Sequence, residues 1–566
     1  MSAAARPTVP VFASRRSPVL GRRGAVAASQ PLAAQAGLDA LRAGGTAADA
    51  ACAAAITLGV VEPMSCGLGG DLFALVWDQG QQRLSALNAS GHSVDSATLE
   101  SYAARGVSGG DIPMTSPLAV TVPGALRGFE TLLAHYGRLG WAPAFDAARR
   151  HARDGYAVSE KIAGGWQTLV PKLSRTPDAA RAFLPGGRAP RVGEIVRLPE
   201  LADTLDTLAS QGADAFYRGS LGEAVVAFMN AEGASWTMDD LAREESSWAD
   251  AIHADYRGYR VAEHPPNGQG LAALIALRLL ESFDLRAMGA LSADALHVAI
   301  EVMKLAFADT HRHVADPDFT RVPVSDLLSD AYIASRGAQI DLRRAAPTVV
   351  PGTLPRGSDT VYLCAVDAEG NAVSLIHSLY YGFGSGLVAG KTGLALQNRG
   401  AGFALDPAHP NALAPRKRPF HTIIPAMLFR APGVARGSVN ASGRAVTPGA
   451  GAAPLMPFGV MGGPMQPQGH LQVITNLVDF GMDVQQMLDA PRFRVIEDGG
   501  ARVMFEADMP RAVIDELAGR GHEIVPASDP GFGGFGGGQA IWIGPDDGVR
   551  ACGSDSRKDG QAVVEG

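Results

Sequence analysis

Cysteine is scarce in this chain, with four residues in 566, at Cys52, Cys66, Cys364 and Cys552. They form no CxxC pair and no Cys/His spacing suited to a metal. Buried thiols are the plain reading, and nothing points to a disulfide framework. No apolar run reaches the roughly 18 residues that a bilayer-crossing helix needs. Excess positive charge is missing too. The formal net charge is −8, and Arg416-Lys417-Arg418 is too short a basic tract to suggest a nucleic-acid partner. The N-terminal stretch carries Arg6, Arg15, Arg16, Arg22 and Arg23, but no apolar segment of about 7–15 residues before a cleavage-like site. A cytoplasmic protein with no membrane partner, no metal and no cofactor is the expectation.

Glycine and proline are plentiful, at 68 and 37 residues, and they punctuate the chain. An Ala/Leu-rich stretch broken by Gly44-Gly45 predicts two packed helices, Leu32–Arg42 and Ala47–Thr57, because alanines allow close approach at little entropy cost. Gly67-Leu68-Gly69-Gly70-Asp71 then turns the chain into an apolar strand, Leu72–Trp77. It lacks the spacing and the Lys-Ser/Thr of a phosphate loop. From Pro123 to about Ala345 the pattern reads as mainly helical. Within it, Pro265-Pro266-Asn267-Gly268-Gln269-Gly270 forms a rigid turn, structural or set beside a cleft. Ile340–Gly357, rich in Pro and Arg, reads as an extended linker. Periodicity then switches to two, giving a hairpin of Thr360–Val366 and Ala372–Ser378. Further strands are expected at Ile423–Phe429, Leu471–Leu477, Arg502–Glu506 and Gln539–Ile543, with helices at Val484–Leu488 and Arg511–Gly519.

Chemistry concentrates where linker meets hairpin, at Gly357-Ser358-Asp359-Thr360. Cleavage of the Asp359–Thr360 bond would make Thr360 the first residue of a strand. Its free α-amine, with a reference pKa of about 7.7–8.0, could then take the proton of its own hydroxyl. That supplies the base a hydroxyl nucleophile needs, with no separate triad. Taken alone, the same four residues also fit an ordinary turn.

An ordered set of motifs adds to this. It comprises Ser29-Gln30-Pro31-Leu32-Ala33, Gly44-Gly45-Thr46-Ala47-Ala48-Asp49-Ala50, Gly67-Leu68-Gly69-Gly70, Thr121-Val122-Pro123-Gly124, Ala308-Asp309-Thr310-His311-Arg312, Gly370-Asn371-Ala372-Val373-Ser374, Asp489-Ala490-Pro491-Arg492-Phe493 and Ser554-Asp555-Ser556-Arg557-Lys558-Asp559-Gly560. Across most of its length the chain thereby resembles the gamma-glutamyltransferase family of N-terminal nucleophile hydrolases. The resemblance implies an α+β fold of four αββα layers and autocleavage between Asp359 and Thr360. It implies two fragments, 1–359 and 360–566, forming a heterodimer that makes one composite catalytic domain for a small amide substrate. Whether such pairs associate further stays open. The resemblance also implies Thr360 as nucleophile, Ser378 as its supporting hydroxyl and Gly462-Gly463 as an oxyanion segment. For Ser378 a strand residue on the solvent side is the alternative, and for Gly462-Gly463 a tight turn.

At the substrate end the chain departs from the family. The arginine that serves a γ-glutamyl α-carboxylate falls on Ser90, a family asparagine on Tyr380, the acid for the ammonium on Gly402, and a Ser-Ser pair on His421-Thr422. Leu396–Gly400 and Arg418–Thr422 instead resemble the divergent branch of oxamate amidohydrolase and cephalosporin-acylase-like proteins. Arg399, Arg418, His421, Thr422 and Tyr380 become candidates for holding a carboxylate-bearing or other small polar acyl group. Arg418 equally fits a structural ion pair, and Tyr380 and Phe383 an aromatic core. Three functions follow: a non-γ-glutamyl amidohydrolase, a γ-glutamyltransferase or glutathione hydrolase, and a catalytically silent scaffold.

Overall fold

A computed structural model describes residues 14, 16–349, 359–431, 438–439, 445–446, 453–496, 500–527 and 534–566. Most of the expected linker, including Gly357 and Ser358, lies outside them. Fourteen strands form two seven-stranded sheets. They are β1 (Val19–Gly21), β2 (Ala25–Ala28), β3 (Asp71–Asp78), β4 (Arg83–Ala89), β5 (Ser247–Ala249), β6 (Ile252–Tyr256), β7 (Tyr259–Glu263), β8 (Asp359–Val366), β9 (Ala372–Tyr380), β10 (Ala426–Arg430), β11 (Met456–Met461), β12 (Gly537–Ile543), β13 (Arg550–Ser554) and β14 (Gln561–Val564). One sheet runs β14-β2-β8-β9-β3-β4-β5 and the other β1-β13-β12-β11-β10-β7-β6, with antiparallel neighbours throughout.

Alternation along the strands decides what lies on each face. Phe73, Leu75, Trp77, Tyr362, Cys364 and Ile376 point toward the other sheet, where they pack with Ile423, Met427 and Met461. Their neighbours Leu72, Ala74, Val361, Leu363 and Leu375 point the opposite way, into a core shared with α1 (Pro31–Arg42) and α2 (Ala47–Val61). Thr46 and Asp49 close a capping box at the start of α2, and the Asp367 carboxylate accepts from Ala47 N at 3.0 Å, fixing this helix to the hairpin turn. Beyond the second sheet lie α4 (Gly270–Leu280), α5 (Ala293–His313) and α6 (Met465–Val478), which share a core with β6, β7, β10 and β11; α3 (Ala125–Tyr136) packs with α2 beside the first sheet. The four layers are α, β, β and α.

Two expectations change. Leu471–Leu477 lies within α6, in which all fourteen residues are buried. A short apolar run buried on every side carries no period to tell helix from strand. The supposedly helical region from Pro123 to Ala345 also contains β5, β6 and β7. The hairpin matches its expectation closely, with Val366 paired to Ala372 and the register held back to Val361–His377. The four cysteines are buried and free. No helix among the described residues is long and apolar enough to cross a membrane.

The two sheets approach closely because β11 carries Gly459 against the Tyr362 ring. A Cβ at Gly459 would meet ring carbons at 2.5 and 2.6 Å. Gly459→Ala is therefore expected to lower unfolding free energy by about 1–3 kcal/mol in urea titration. An unchanged midpoint would contradict close contact between the sheets at this point.

Candidate active site

Strand order and register bring side chains from four segments to one end of the inter-sheet space. Thr360 is the second residue of β8, where the pairing with β9 shifts between Asp359–Tyr380 and Val361–His377. Its Oγ1 lies 3.0 Å from Ser378 Oγ, and both residues are buried. Ser378 pairs with Asp71 on β3, and Ser90 follows one step beyond the Leu72–Ala89 pair of β3 and β4. Thr360, Ser378 and Asp71 thus form a row across three strands. The expected solvent-side alternative for Ser378 does not hold, since the residue is fully buried.

Two donors converge on Ser378 Oγ, the Tyr380 N–H at 2.8 Å and the Arg399 guanidinium at 3.3 Å. Arg399 also donates to Thr422 Oγ1 at 2.8 Å, and its guanidinium lies over the Tyr380 ring, 3.9 Å from the centroid. Tyr380 adopts φ +80°, a conformation that non-glycine residues hold only where the surroundings enforce it. Among the described residues the nearest acid to Arg399 is Asp71, at 3.9 Å from Nε, and Nε itself makes no hydrogen bond to any of them. A buried guanidinium with five N–H donors is therefore only partly satisfied. Burial pulls its pKa down to about 10, opposed by Tyr380, Asp71 and Tyr381, so it keeps its charge at neutral pH.

Asp71 is the residue that sequence reasoning did not single out. Its one signal was an acid between a Gly-Gly turn and a wholly buried apolar strand. Gly91 N–H donates to Oδ1 at 2.9 Å, and the His421 ring donates to Oδ2 at 3.1 Å. His421 Nδ1 accepts from Ile423 N, so the proton sits on Nε2. Burial, then the Arg399 charge, then His264 push His421 well below its usual pKa, which keeps it neutral. Burial raises Asp71 to about 7 against the pull of Arg399 and Gly91.

Gly462 and Gly463 lead from β11 into α6 at φ +115° and +58°, where a side chain would be strained. They stand at the N-terminal, positive end of a fourteen-residue helix. Gln269 ties them to the cluster by donating to both Thr422 O at 2.7 Å and Gly463 O at 2.8 Å. Through Thr422, Arg399 and Ser378 this forms a continuous chain of hydrogen bonds to Thr360. The Pro265–Gly270 turn is thus part of the site's frame.

Arg418 stands apart. Its guanidinium is spent on Ser90 O, Glu245 O and Ser247 Oγ, and its N–H on Asp316, so it stitches loops together. Two carbonyl oxygens and a hydroxyl, rather than an acid, take these side-chain donors, in place of the expected ion pair. Phe383 packs among Trp166 and Phe183 in the helix-side core. Gly402 is buried, and its carbonyl accepts from Asn411. Asp359 pairs in register with Tyr380.

Among the described residues, His297, Glu301 and His522 have metal-ligand spacing, with ligand atoms within 4.8 Å. Lys304 Nζ donates to Glu301 at 2.9 Å, and the two imidazoles hydrogen-bond to each other at 2.8 Å. This group joins the segment around Asp341–Ala346 to His522.

Four layers with a hydroxyl-bearing strand start between the sheets define an N-terminal-nucleophile hydrolase architecture. A family model described as gamma-glutamyltranspeptidase matches residues 33–565, and the chain belongs to that family. It is 36% identical over 553 residues to the glutathione hydrolase-like YwrD proenzyme of Bacillus subtilis, covering 96% of this chain and 99% of the relative. To the oxamate amidohydrolase proenzyme of Klebsiella pneumoniae it is 34% identical over 516 residues, covering 89% and 92%. The crystal structure of cephalosporin acylase from Bacillus halodurans superposes with a TM-score of 0.88 at 43% identity, covering all of both chains. The chain is accordingly an enzyme with amide-hydrolase or acyl-transfer chemistry, and the scaffold reading falls. Members of the family process themselves into two-chain heterodimers that act on small amides.

Gln269→Leu should leave the buried Thr422 carbonyl without its donor, while Gly463 O keeps the Gln466 N–H at 3.0 Å, at a cost of about 1–3 kcal/mol. Chemical denaturation reads this directly, and wild-type stability in the variant would contradict the bridging role.

Proposed function

We propose that this enzyme cuts itself between Asp359 and Thr360 and then hydrolyses small amides through the Thr360 hydroxyl, with an acyl group that bears a carboxylate and is not γ-glutamyl. The observation that carries the reading is the buried Arg399 guanidinium. It reaches Ser378 Oγ, the neighbour of Thr360 Oγ1, while its Nε has no hydrogen-bond partner among the described residues. A cation so placed suits an anion on the acyl side of the scissile bond.

In the precursor, Thr360 Oγ1 attacks the Asp359 carbonyl carbon. The peptide nitrogen leaves as the Thr360 α-amine, and water releases the Asp359 carboxylate from the resulting ester. The fragments are 1–359 and 360–566. In the mature enzyme the α-amine takes the hydroxyl proton as Oγ1 attacks substrate, then passes it to the departing amine. Ser378 orients the nucleophile by its hydrogen bond. Backbone N–H groups of Gly462 and Gly463, aided by the positive end of α6, stabilise the oxyanion; losing one such donor costs about 3–4 kcal/mol of barrier. Water resolves the ester. Tyr380 and Thr422 hold Arg399 in place, and His421 holds Asp71.

A γ-glutamyl substrate would also bring an α-ammonium. Gly402 offers it no carboxylate, and Arg399 would repel it. That disfavours the γ-glutamyltransferase or glutathione-hydrolase reading, although relatives with those names exist.

Thr360→Ala is expected to remain a single full-length chain in denaturing mass spectrometry and to hydrolyse nothing. Processing elsewhere, or residual turnover, would overturn the assignment. Wild-type enzyme should hydrolyse monoamides of dicarboxylic acids with higher kcat/KM than glutathione. The opposite order would favour the γ-glutamyl reading.

A further inference from the structure

The Arg399 site already holds an acid of its own. Asp71 Oδ2 lies 3.9 Å from Arg399 Nε and accepts the His421 proton, and its carboxyl is fully buried. We propose that Asp71 is the resident counter-ion of an anion-binding position at Arg399, and that it takes up a proton from solvent when an acyl carboxylate binds there. The inference rests on the carboxylate reading of the substrate given above.

The argument is electrostatic. With no substrate, a buried guanidinium needs a negative partner, and Asp71 is the acid in reach. A bound carboxylate supplies that charge instead. Two carboxylates facing one guanidinium repel, and such a pair shares a proton rather than remaining doubly ionised. The other groups around Asp71 cannot absorb the second charge. His421 is neutral and already donates its Nε2 proton, and the Gly91 N–H is a fixed donor. Glu244, farther off, adds negative charge and is occupied by His92 at 3.0 Å. Protonation is the remaining route, and it leaves every atom in place: carboxylate, ionised Asp71 and one solvent proton become bound carboxylate and neutral Asp71. Since burial holds Asp71 near 7, both states are accessible at physiological pH.

The sign follows by linkage. Above pH 7 Asp71 is ionised in the free enzyme, so binding must consume a proton, and affinity for the carboxylate falls as pH rises. The test compares processed wild type with Asp71→Asn on a dicarboxylic monoamide and on its uncharged methyl ester, between pH 6.5 and 8.5. For wild type, KM of the monoamide should rise toward about tenfold per pH unit above 7. The methyl ester should show no such rise, and in D71N the monoamide KM should be low and flat. Titration of the Thr360 α-amine affects both substrates alike and cancels in their ratio.

Should D71N fail to mature, calorimetry on wild type decides the matter. Binding of the free dicarboxylate at pH 8, in two buffers of different ionisation enthalpy, should take up close to one proton, about 0.9 for a group titrating near 7. No proton uptake, or a KM ratio with the same pH slope in D71N as in wild type, overturns the role of Asp71. A wild type that shows no preference for the monoamide over its ester overturns the carboxylate reading itself.

Discussion

The register of three strands is the constraint on which the site depends. Thr360, Ser378 and Asp71 stand side by side only because β8, β9 and β3 pair as they do. Side chains alternate with a period of two, so a slip of one residue would send all three toward the helices and bring Val361, Leu379 and Leu72 into the gap between sheets. Those three are buried in the helix-side core, and their apolar surface opposes the slip. Packing on one face of the sheet therefore fixes chemistry on the other. The capped helix α2, bound through Ala47 N to the Asp367 carboxylate at the hairpin turn, reinforces the same register from outside.

Within that frame the charged groups are few and buried. Arg399, Asp71 and neutral His421 form a compact set whose members hold one another: the ring donates to the acid, and the acid faces the guanidinium. Tyr380 keeps a disfavoured backbone conformation while its ring supports the guanidinium. Such strain persists where the surroundings over-determine it, and here it coincides with the buried Arg399 cation. Removing any one member would leave another buried without its partner, which makes this cluster more demanding of exact composition than the apolar core around it.

Much of this was legible in the sequence. The hairpin announces itself by alternation on both sides of Asp367–Asn371, and the Ala-rich helices by composition and the Gly44-Gly45 break. Thr360, Ser378, Tyr380, Arg399, His421 and Thr422 could be named together, and the structure gathers all six into one cluster. Asp71 was not legible, because an acid after two glycines reads as part of a turn; only the pairing of Ser378 with Asp71 reveals its neighbours. What Arg418 bonds to was not legible for a related reason: its sequence neighbours do not show that Ser90 O and Glu245 O accept from its guanidinium. The segment around Leu471 failed differently. It is buried on all sides in α6 and so carries no amphipathic period.

The central claim is that one hydroxyl, on Thr360, carries the acyl group. Acid quench during turnover of a slow dicarboxylic monoamide, followed by peptide mass mapping, tests it most directly. The account predicts a peptide that begins at Thr360 and is heavier by the mass of the dicarboxylic acid less one water, with the ester on the threonine. An acyl adduct on any other residue, or a mature fragment that begins anywhere but Thr360, would contradict it.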